Sequence, residues 1–155
     1  SGLRQSDEAL TTLAVVSVDA RGERMFSFYR SPGADTLLTP EEAAQALDAY
    51  DQKPVFLHFG SVSLTAEPSR SATLETVRKA REEGILISYD PNYRPALWPD
   101  QDFAIQIPLE LLKSCRNIIG VCSANTSVQA VRGALRTGIF THLVARSAAV
   151  ESALN

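Results

Sequence analysis

Residues 85–100, ILISYDPNYRPALWPD, join a short uncharged apolar run to a polar loop that is interrupted by prolines. The apolar run has the length of a buried strand, and the prolines exclude a regular element directly after it. In open α/β sheets, ligands bind just beyond the carboxyl ends of the strands. The loop supplies an acid, an amide, a phenol and a guanidinium from Asp90, Asn92, Tyr93 and Arg94. We therefore expect a binding site at this strand end.

The composition limits the class of protein. The chain has 155 residues, of which 45% are hydrophobic and 21% charged, the size and make-up of one soluble globular domain with a core. A net charge of -3 gives no basic surface for nucleic acid or an anionic membrane. Two cysteines are too few for a disulfide framework, and no apolar run approaches the roughly 20 residues of a membrane span. We predict a cytoplasmic protein with neither nucleic acid nor membrane as a partner.

Residues 11–30 predict a β-hairpin. Residues 11–19 are rich in β-branched side chains, and Ala20-Arg21-Gly22 favours a tight turn. Residues 24–30 then alternate, which puts Phe26, Phe28 and Arg30 on one face. Periodicity by itself favours an ordinary amphipathic hairpin, whose aromatic rings pack on a core and whose arginine is solvated.

A helix and a strand are predicted after the hairpin. Thr39 as N-cap, Pro40 at the first helical position and Glu42 at the capping-box position start a helix that should end near residue 50. Residues 54–59, PVFLHF, form a continuous apolar run typical of a strand buried on both faces. His58 lies inside that run, so we interpret it as a packed core residue rather than a base or a metal ligand.

The next elements complete a βαβ unit. Residues 68–83 predict an amphipathic helix, closed by Gly84, and residues 85–89 predict the second strand. Short strand, helix and strand segments in this order place the two strands parallel in one sheet. Gly60 and Asp90 should therefore lie at the same end of the sheet and form one crevice.

The last third of the chain is less regular. Residues 99–114 can carry a helix with Pro108 interrupting its middle, and residues 117–121, 128–135 and 140–145 suggest a strand, a helix and a strand. From residue 117 onward Glu151 is the only acidic residue, so we expect this segment to be peripheral or poorly ordered.

Several ordered segments together resemble the ribokinase (PfkB) family of carbohydrate kinases, and bacterial fructokinases most closely. They are residues 11–35, 37–42 (LLTPEE), 56–64 (FLHFGSVSL), 67–73 (EPSRSAT) and 89–99 (YDPNYRPALWP). The resemblance implies a Rossmann-like, mostly parallel α/β fold, incomplete here, with a small β-hairpin lid. We predict a lid segment at residues 4–32, a partial ribokinase-like core at 33–116 and a divergent segment at 117–155.

The resemblance also implies roles for individual residues. Phe28 and Arg30 match lid positions that close over the sugar, and Gly60 lies in the substrate crevice. Arg94 matches the arginine that reaches the sugar and the transferring phosphoryl group, while Asn92 and Tyr93 match positions near the nucleotide. A rigid, proline-flanked arginine suits phosphoryl transfer, which needs cationic stabilisation and alignment. The alternative for Arg94 is a loop arginine that bridges nearby carboxylates. ATP and Mg²⁺ are the expected cofactors.

Parts of the family pattern are missing from the chain. The glycine-rich sugar-binding segment and the GAGD motif, which supplies the catalytic aspartate and an anion hole, are not found. Cys122 and Asn125 stand where fructokinases have an N-x-x-E-like segment, and an amide cannot replace a carboxylate near Mg²⁺. We therefore expect a fragment without the catalytic base, and we assign no residue to that role.

Two functions remain from the sequence. The first is a sugar kinase that transfers the γ-phosphoryl group of ATP to a sugar hydroxyl, represented here by its lid and sugar-facing loops. The second is an inactive remnant that binds sugar weakly or serves as an interaction module. A dinucleotide-binding protein is disfavoured because no G-x-G-x-x-G follows a strand. The resemblance also implies that two lids pair in a homodimer.

Overall fold

The computed structural model describes residues 3–113, 115, 118–121, 128–145 and 147–154 of an α/β chain. Its contacts divide the chain into two units, residues 1–104 and residues 105–155. The first unit contains β1 (Leu13–Val18), β2 (Arg24–Tyr29), α1 (Pro40–Asp48), β3 (Phe56–Gly60), α2 (Ser69–Glu82) and β4 (Leu86–Asp90). Among the described residues, no helix is both long and apolar enough to cross a membrane.

The predicted hairpin is confirmed. Strands β1 and β2 pair antiparallel from Leu13 opposite Tyr29 to Val18 opposite Arg24. The turn between them is held by Asp19, whose carboxylate accepts the backbone N–H groups of Arg21 and Glu23 at 2.8 and 2.9 Å. Both faces of the hairpin are largely exposed, so its apolar side chains do not pack on a core of the described residues. The exposed members are Leu13, Val15, Val16, Val18, Met25, Phe26 and Tyr29.

Helix α1 begins with the predicted capping box. Thr39 Oγ1 accepts the N–H of Glu42, and the Glu42 carboxylate accepts the N–H of Thr39 at 3.1 Å. Pro40 occupies the first turn, where it leaves no hydrogen bond unmade. Local sequence chemistry is therefore enough to fix where this helix starts.

The βαβ unit is also confirmed. Strands β3 and β4 are parallel neighbours, with Phe56 opposite Leu86 and Gly60 opposite Asp90. Helix α2 connects them and packs on both, burying Ala72, Val77 and Ala80. The chain turns into β4 through Gly84, whose φ of +73° lies in the left-handed region that glycine adopts without strain.

The prediction that residues 54–59 are buried on both faces is wrong. Phe56 is 63% exposed and its cross-strand partner Leu86 is 56% exposed. His58, which we interpreted as a core residue, is exposed as well, and its Nδ1 lies 3.0 Å from Ser88 Oγ on the neighbouring strand. Helix α2 contacts the sheet, but the described part of the first unit leaves the face of Phe56 and Leu86 uncovered.

The second unit is built from short elements. Helix α3 (Gln101–Lys113) starts in the first unit and continues through Pro108, where the sequence predicts an interruption. It is followed by β5 (Ile119–Val121), α4 (Val128–Arg136), β6 (His142–Val144) and α5 (Ser147–Leu154). Strands β5 and β6 are parallel, and the Arg132 side chain ties α4 to α5 by donating to the carbonyls of Ser152 and Ala153, each at 3.1 Å. The sequence pattern did not predict α5, and Cys122 and Asn125 lie outside the described residues.

Candidate functional site

The carboxyl ends of β3 and β4 form the crevice that the sequence predicts. Gly60 and Asp90 are direct neighbours across the parallel pair. Just beyond them, the buried Ser61 hydroxyl lies 3.4 Å from the backbone carbonyl of Asn92, to which it donates. A side chain on the first strand-end loop thus holds the backbone of the second loop.

The loop after β4 is fixed by local bonds and by one buried aromatic. The Asp90 carboxylate accepts the N–H of Asn92 at 3.1 Å, and the Arg94 carbonyl accepts the N–H of Leu97 at 2.9 Å. Trp98 is 7% exposed and packs beside Phe103, with 6.3 Å between ring centroids. Asn92 and Tyr93 face solvent on this rigid loop.

Arg94 stands beneath the hairpin. Its guanidinium carbon lies 4.9 Å from the centroid of the Phe26 ring, a cation–π distance. Its Nη1 donates to the carbonyl of Tyr93 at 3.2 Å. In the part of the chain that the structure describes, Arg94 forms no ion pair with a carboxylate. The described residues therefore give no support to the alternative that Arg94 bridges nearby carboxylates. The positive charge of Arg94 remains available for an anionic ligand.

Phe28 lies on the hairpin face that points towards this loop. Its ring stacks with that of Phe26 at 6.1 Å between centroids, as expected for alternate residues on one face. The ring that contacts Arg94 is that of Phe26, a residue that the sequence analysis placed on this face without giving it a role. The alternation was the available signal, but the strand pattern cannot say which ring meets the arginine.

Arg30 occupies a different environment from the solvated arginine that the amphipathic pattern favours. Its side chain is 7% exposed. It donates to Thr65 Oγ1 at 2.7 Å and to the carbonyl of Val62 at 3.2 Å, and it pairs with the Asp35 carboxylate at 2.7 Å. These contacts leave little of the five-donor guanidinium fork free. Arg30 therefore links the end of the hairpin to the loop that follows β3.

Two groups near the crevice have shifted pKa values. Partial burial by itself raises the pKa of Asp35, but hydrogen bonds from Arg30 and Thr12 and the positive charge of Arg30 outweigh it and lower that pKa below its usual value. Burial, and after it the charge of Asp90, raises the pKa of Tyr89 to about 12. Asp35 is thus an anion and Tyr89 a neutral phenol at neutral pH.

The described residues do not form a metal site by themselves. No group of three or more histidine, cysteine, aspartate or glutamate side chains in the described part of the chain is placed to hold an ion. Mg²⁺ prefers several oxygen ligands in a defined geometry. The described part of the chain therefore supplies no ligand set for the expected Mg²⁺.

A parallel βαβ unit with Arg94 at its strand ends, beneath a β-hairpin, is the arrangement that the resemblance to α/β sugar kinases predicts. The pattern of the pfkB family carbohydrate kinases matches residues 1–120. The chain belongs to this family. The predicted ribokinase-like fold is confirmed by the fructokinase of Xylella fastidiosa with bound ATP, which superimposes with a TM-score of 0.66 at 27% identity, covering 99% of this chain and 44% of that one.

Plant fructokinases are more similar in sequence. Fructokinase-2 of Oryza sativa subsp. japonica is 50% identical over 98 residues, which cover 63% of this chain and 28% of the relative. Fructokinase-1 of Zea mays is 49% identical over 96 residues, which cover 62% of this chain and 29% of the relative. The predicted fructokinase resemblance is confirmed, and the chain spans under a third of these relatives.

Proposed function

We propose that the chain is the sugar-facing part of an ATP-dependent kinase of the fructokinase type, which transfers the γ-phosphoryl group of ATP to a sugar hydroxyl. The observation that carries the proposal is Arg94, a cation without a carboxylate partner among the described residues, held over the Phe26 ring at the ends of two parallel strands. Relatives named fructokinase and a fructokinase structure with bound ATP support the substrate and the nucleotide.

The geometry supports a division of roles around the crevice. Arg94 stabilises the sugar and the transferring phosphoryl group, because guanidinium N–H groups pair well with phosphate oxygens. Gly60 and Phe28 supply a backbone edge and an apolar ring for the sugar. Arg30 offers the sugar only the Nη1 donor that Thr65 leaves free. Asn92 and Tyr93, which are exposed on the same loop, contact the nucleotide in this proposal.

Binding is the sharpest test, since Trp98 is the only tryptophan and is buried behind the Arg94 loop. We expect fructose or ATP to change Trp98 fluorescence in a saturable way, and Arg94→Ala to weaken this binding by about tenfold or more, as expected for loss of charge-assisted hydrogen bonds. The control is Arg21→Ala at the hairpin turn, whose side chain is 85% exposed. An unchanged affinity in Arg94→Ala would remove Arg94 from the site.

The alternative, an inactive remnant, is tested by the same titration. A folded chain whose Trp98 responds to neither fructose nor ATP would favour the remnant. We further propose that the 155-residue chain, assayed by itself, forms no ADP with fructose and ATP, because no residue in it is assigned as the hydroxyl-activating base. ADP formation by the purified chain would contradict this proposal.

We also propose that two copies of the chain pair through their hairpins. Phe26 faces Arg94, so the side chains that point to the opposite side of the two strands form the outer face of the hairpin. Four apolar side chains on that face are between 48% and 69% exposed, namely Leu13, Val15, Met25 and Tyr29. Burying such a surface against its own copy stabilises a dimer by the hydrophobic effect.

A cytoplasmic location is proposed too, since Cys115 is a free thiol.

A further inference from the structure

Both ends of the hairpin converge on one carboxylate. Thr12, the residue before β1, donates from Oγ1 to Asp35 Oδ1. Arg30, the residue after β2, donates from Nε to Asp35 Oδ2 at 2.7 Å, and its Nη2 lies 2.7 Å from the same oxygen. We refer to Thr12, Arg30 and Asp35 as the root clamp. Asp35 thus bonds the chain where it enters the hairpin and where it leaves it.

The root clamp is closely packed around Gly33. This glycine is buried and forms a parallel bridge with Leu10, next to which the Ala34 N–H donates to the Leu10 carbonyl at 2.9 Å. A Cβ built on Gly33 would lie 2.7 Å from Asp35 Oδ1 and 2.9 Å from Arg30 Cγ, and a Cβ atom essentially never comes within 3.0 Å of such neighbours. The absence of a side chain at Gly33 therefore lets the hairpin root and Asp35 meet.

A second set of bonds connects the root clamp to the crevice. Besides Asp35, Arg30 holds Thr65 Oγ1 and the carbonyl of Val62, both in or just after the 3₁₀ turn Ser61–Leu64 that follows β3. Ser61 in that turn holds the backbone of Asn92. The bonded path thus runs from the hairpin root to the loop that carries Arg94.

The hairpin has little other support for its orientation. Its strands are exposed along most of their length, so apolar burial does not fix their direction. Apart from the root clamp, the described residues connect the hairpin to the strand-end loops through the ring of Phe26 over Arg94. A two-stranded ribbon anchored at one end is expected to pivot about its root unless bonds at the root prevent it.

We propose that Asp35 is a positioning residue that sets the angle of the hairpin over the strand ends by holding Thr12 and Arg30 together. In this role the carboxylate does not touch substrate; it determines how far Phe26 and Phe28 stand from Arg94. The inference goes beyond the proposed kinase function, because it concerns the free chain and needs no sugar or nucleotide.

The test measures hairpin motion in the full chain. Spin labels are placed at Glu23→Cys beside the hairpin turn and at Glu83→Cys at the end of α2, in a background with Cys115→Ser and Cys122→Ser. Pulsed dipolar spectroscopy then gives the distribution of distances between the labels. The variant is Asp35→Asn, and the matched control is Asp48→Asn, a carboxylate that pairs with Lys79 away from the hairpin root.

We expect a narrow distribution in the parent chain and in Asp48→Asn, and a distribution wider by about twofold or more in Asp35→Asn, as a released hinge populates several angles. Thr12→Val, which removes one bond and keeps the Arg30 pair, should give an intermediate width. Hydrogen exchange of the α2 amides should stay unchanged, which separates hairpin release from unfolding. If Asp35→Asn loses α2 protection, Thr12→Val decides the test. Parent-like widths in the folded variants would overturn the proposal.

Discussion

The guanidinium carbon of Arg94 lies 4.9 Å from the centroid of the Phe26 ring, although Phe26 is on a hairpin strand and Arg94, 68 positions later in the sequence, is on the loop after β4. An aromatic ring carries no net charge and attracts a cation only through its quadrupole. Phe26 therefore presents Arg94 without neutralising it, as a carboxylate partner would.

Phe26→Leu should remove the cation–π contact with Arg94 while keeping an apolar side chain at this position. A cation–π contact at a partly exposed site contributes about 0.5–1 kcal/mol. We expect a double-mutant cycle of Phe26→Leu and Arg94→Ala, measured by urea unfolding of the chain, to give a coupling free energy in this range. The control cycle replaces Phe26→Leu by Phe28→Leu and should give a clearly smaller coupling. Equal coupling in both cycles would mean that Phe26 has no special relation to Arg94.

The root clamp should respond to acid. Because the pKa of Asp35 is lower in the folded chain than in the unfolded chain, its stabilising effect is complete above the unfolded value of about 4 and is lost as the pH falls through the lower folded value. Arg30 is the charged group that faces the carboxylate. The label distance distribution of the parent chain should therefore widen reversibly as the pH falls through this lower folded pKa.

The Asp35→Asn variant provides the comparison for this pH profile. Its distribution should already be wide at neutral pH and should change little on acidification, provided that α2 keeps its protection from hydrogen exchange. The comparison is made at a pH where Asp35 is protonated and α2 remains folded. If the distance distribution of the parent chain stays as narrow there as at neutral pH, the charge of Asp35 has no role in holding the hairpin.

Gly33→Ala should destabilise the chain. The added Cβ would press on Asp35 Oδ1 and Arg30 Cγ at 2.7 and 2.9 Å, and overpacking of this kind costs about 1–3 kcal/mol. Gly133→Ala is the matched control, because its Cβ meets nothing within 4 Å and lies in helix α4, where alanine is favoured over glycine by up to about 1 kcal/mol. The melting temperature should therefore fall in Gly33→Ala and rise in Gly133→Ala. A Gly33→Ala chain as stable as its parent would refute the close packing around Gly33.

Pairing of hairpins should be sensitive to charge on the outer face. Met25 is 69% exposed there, so Met25→Lys places a charge in the proposed interface without disturbing packing inside one copy. Sedimentation equilibrium should show a dimer for the parent chain and a shift towards monomer for Met25→Lys. Gln52→Lys adds the same charge at an exposed position outside the hairpin and should leave the dimer intact. A monomeric parent chain at all concentrations would exclude pairing.

Much of the local structure follows from the sequence. The alternation in residues 24–30, the capping box at Thr39 and Glu42, and Gly84 after α2 each act over a few neighbouring residues. Such short-range preferences depend little on the rest of the fold. The order of strand, helix and strand then placed Gly60 beside Asp90, because short crossovers in one sheet make the strands parallel.

The sequence by itself determined most of the elements, though not α5, together with the family and the strand end at which a ligand should bind. Only the tertiary structure decided that Phe56 and His58 are exposed, because burial depends on which layers cover a sheet. It also decided that Arg30 is held by Asp35, Val62 and Thr65, and that Arg94 meets Phe26 and forms no ion pair among the described residues. These partners lie far apart in sequence or on different elements, and no periodicity within one segment specifies which side chains meet after folding.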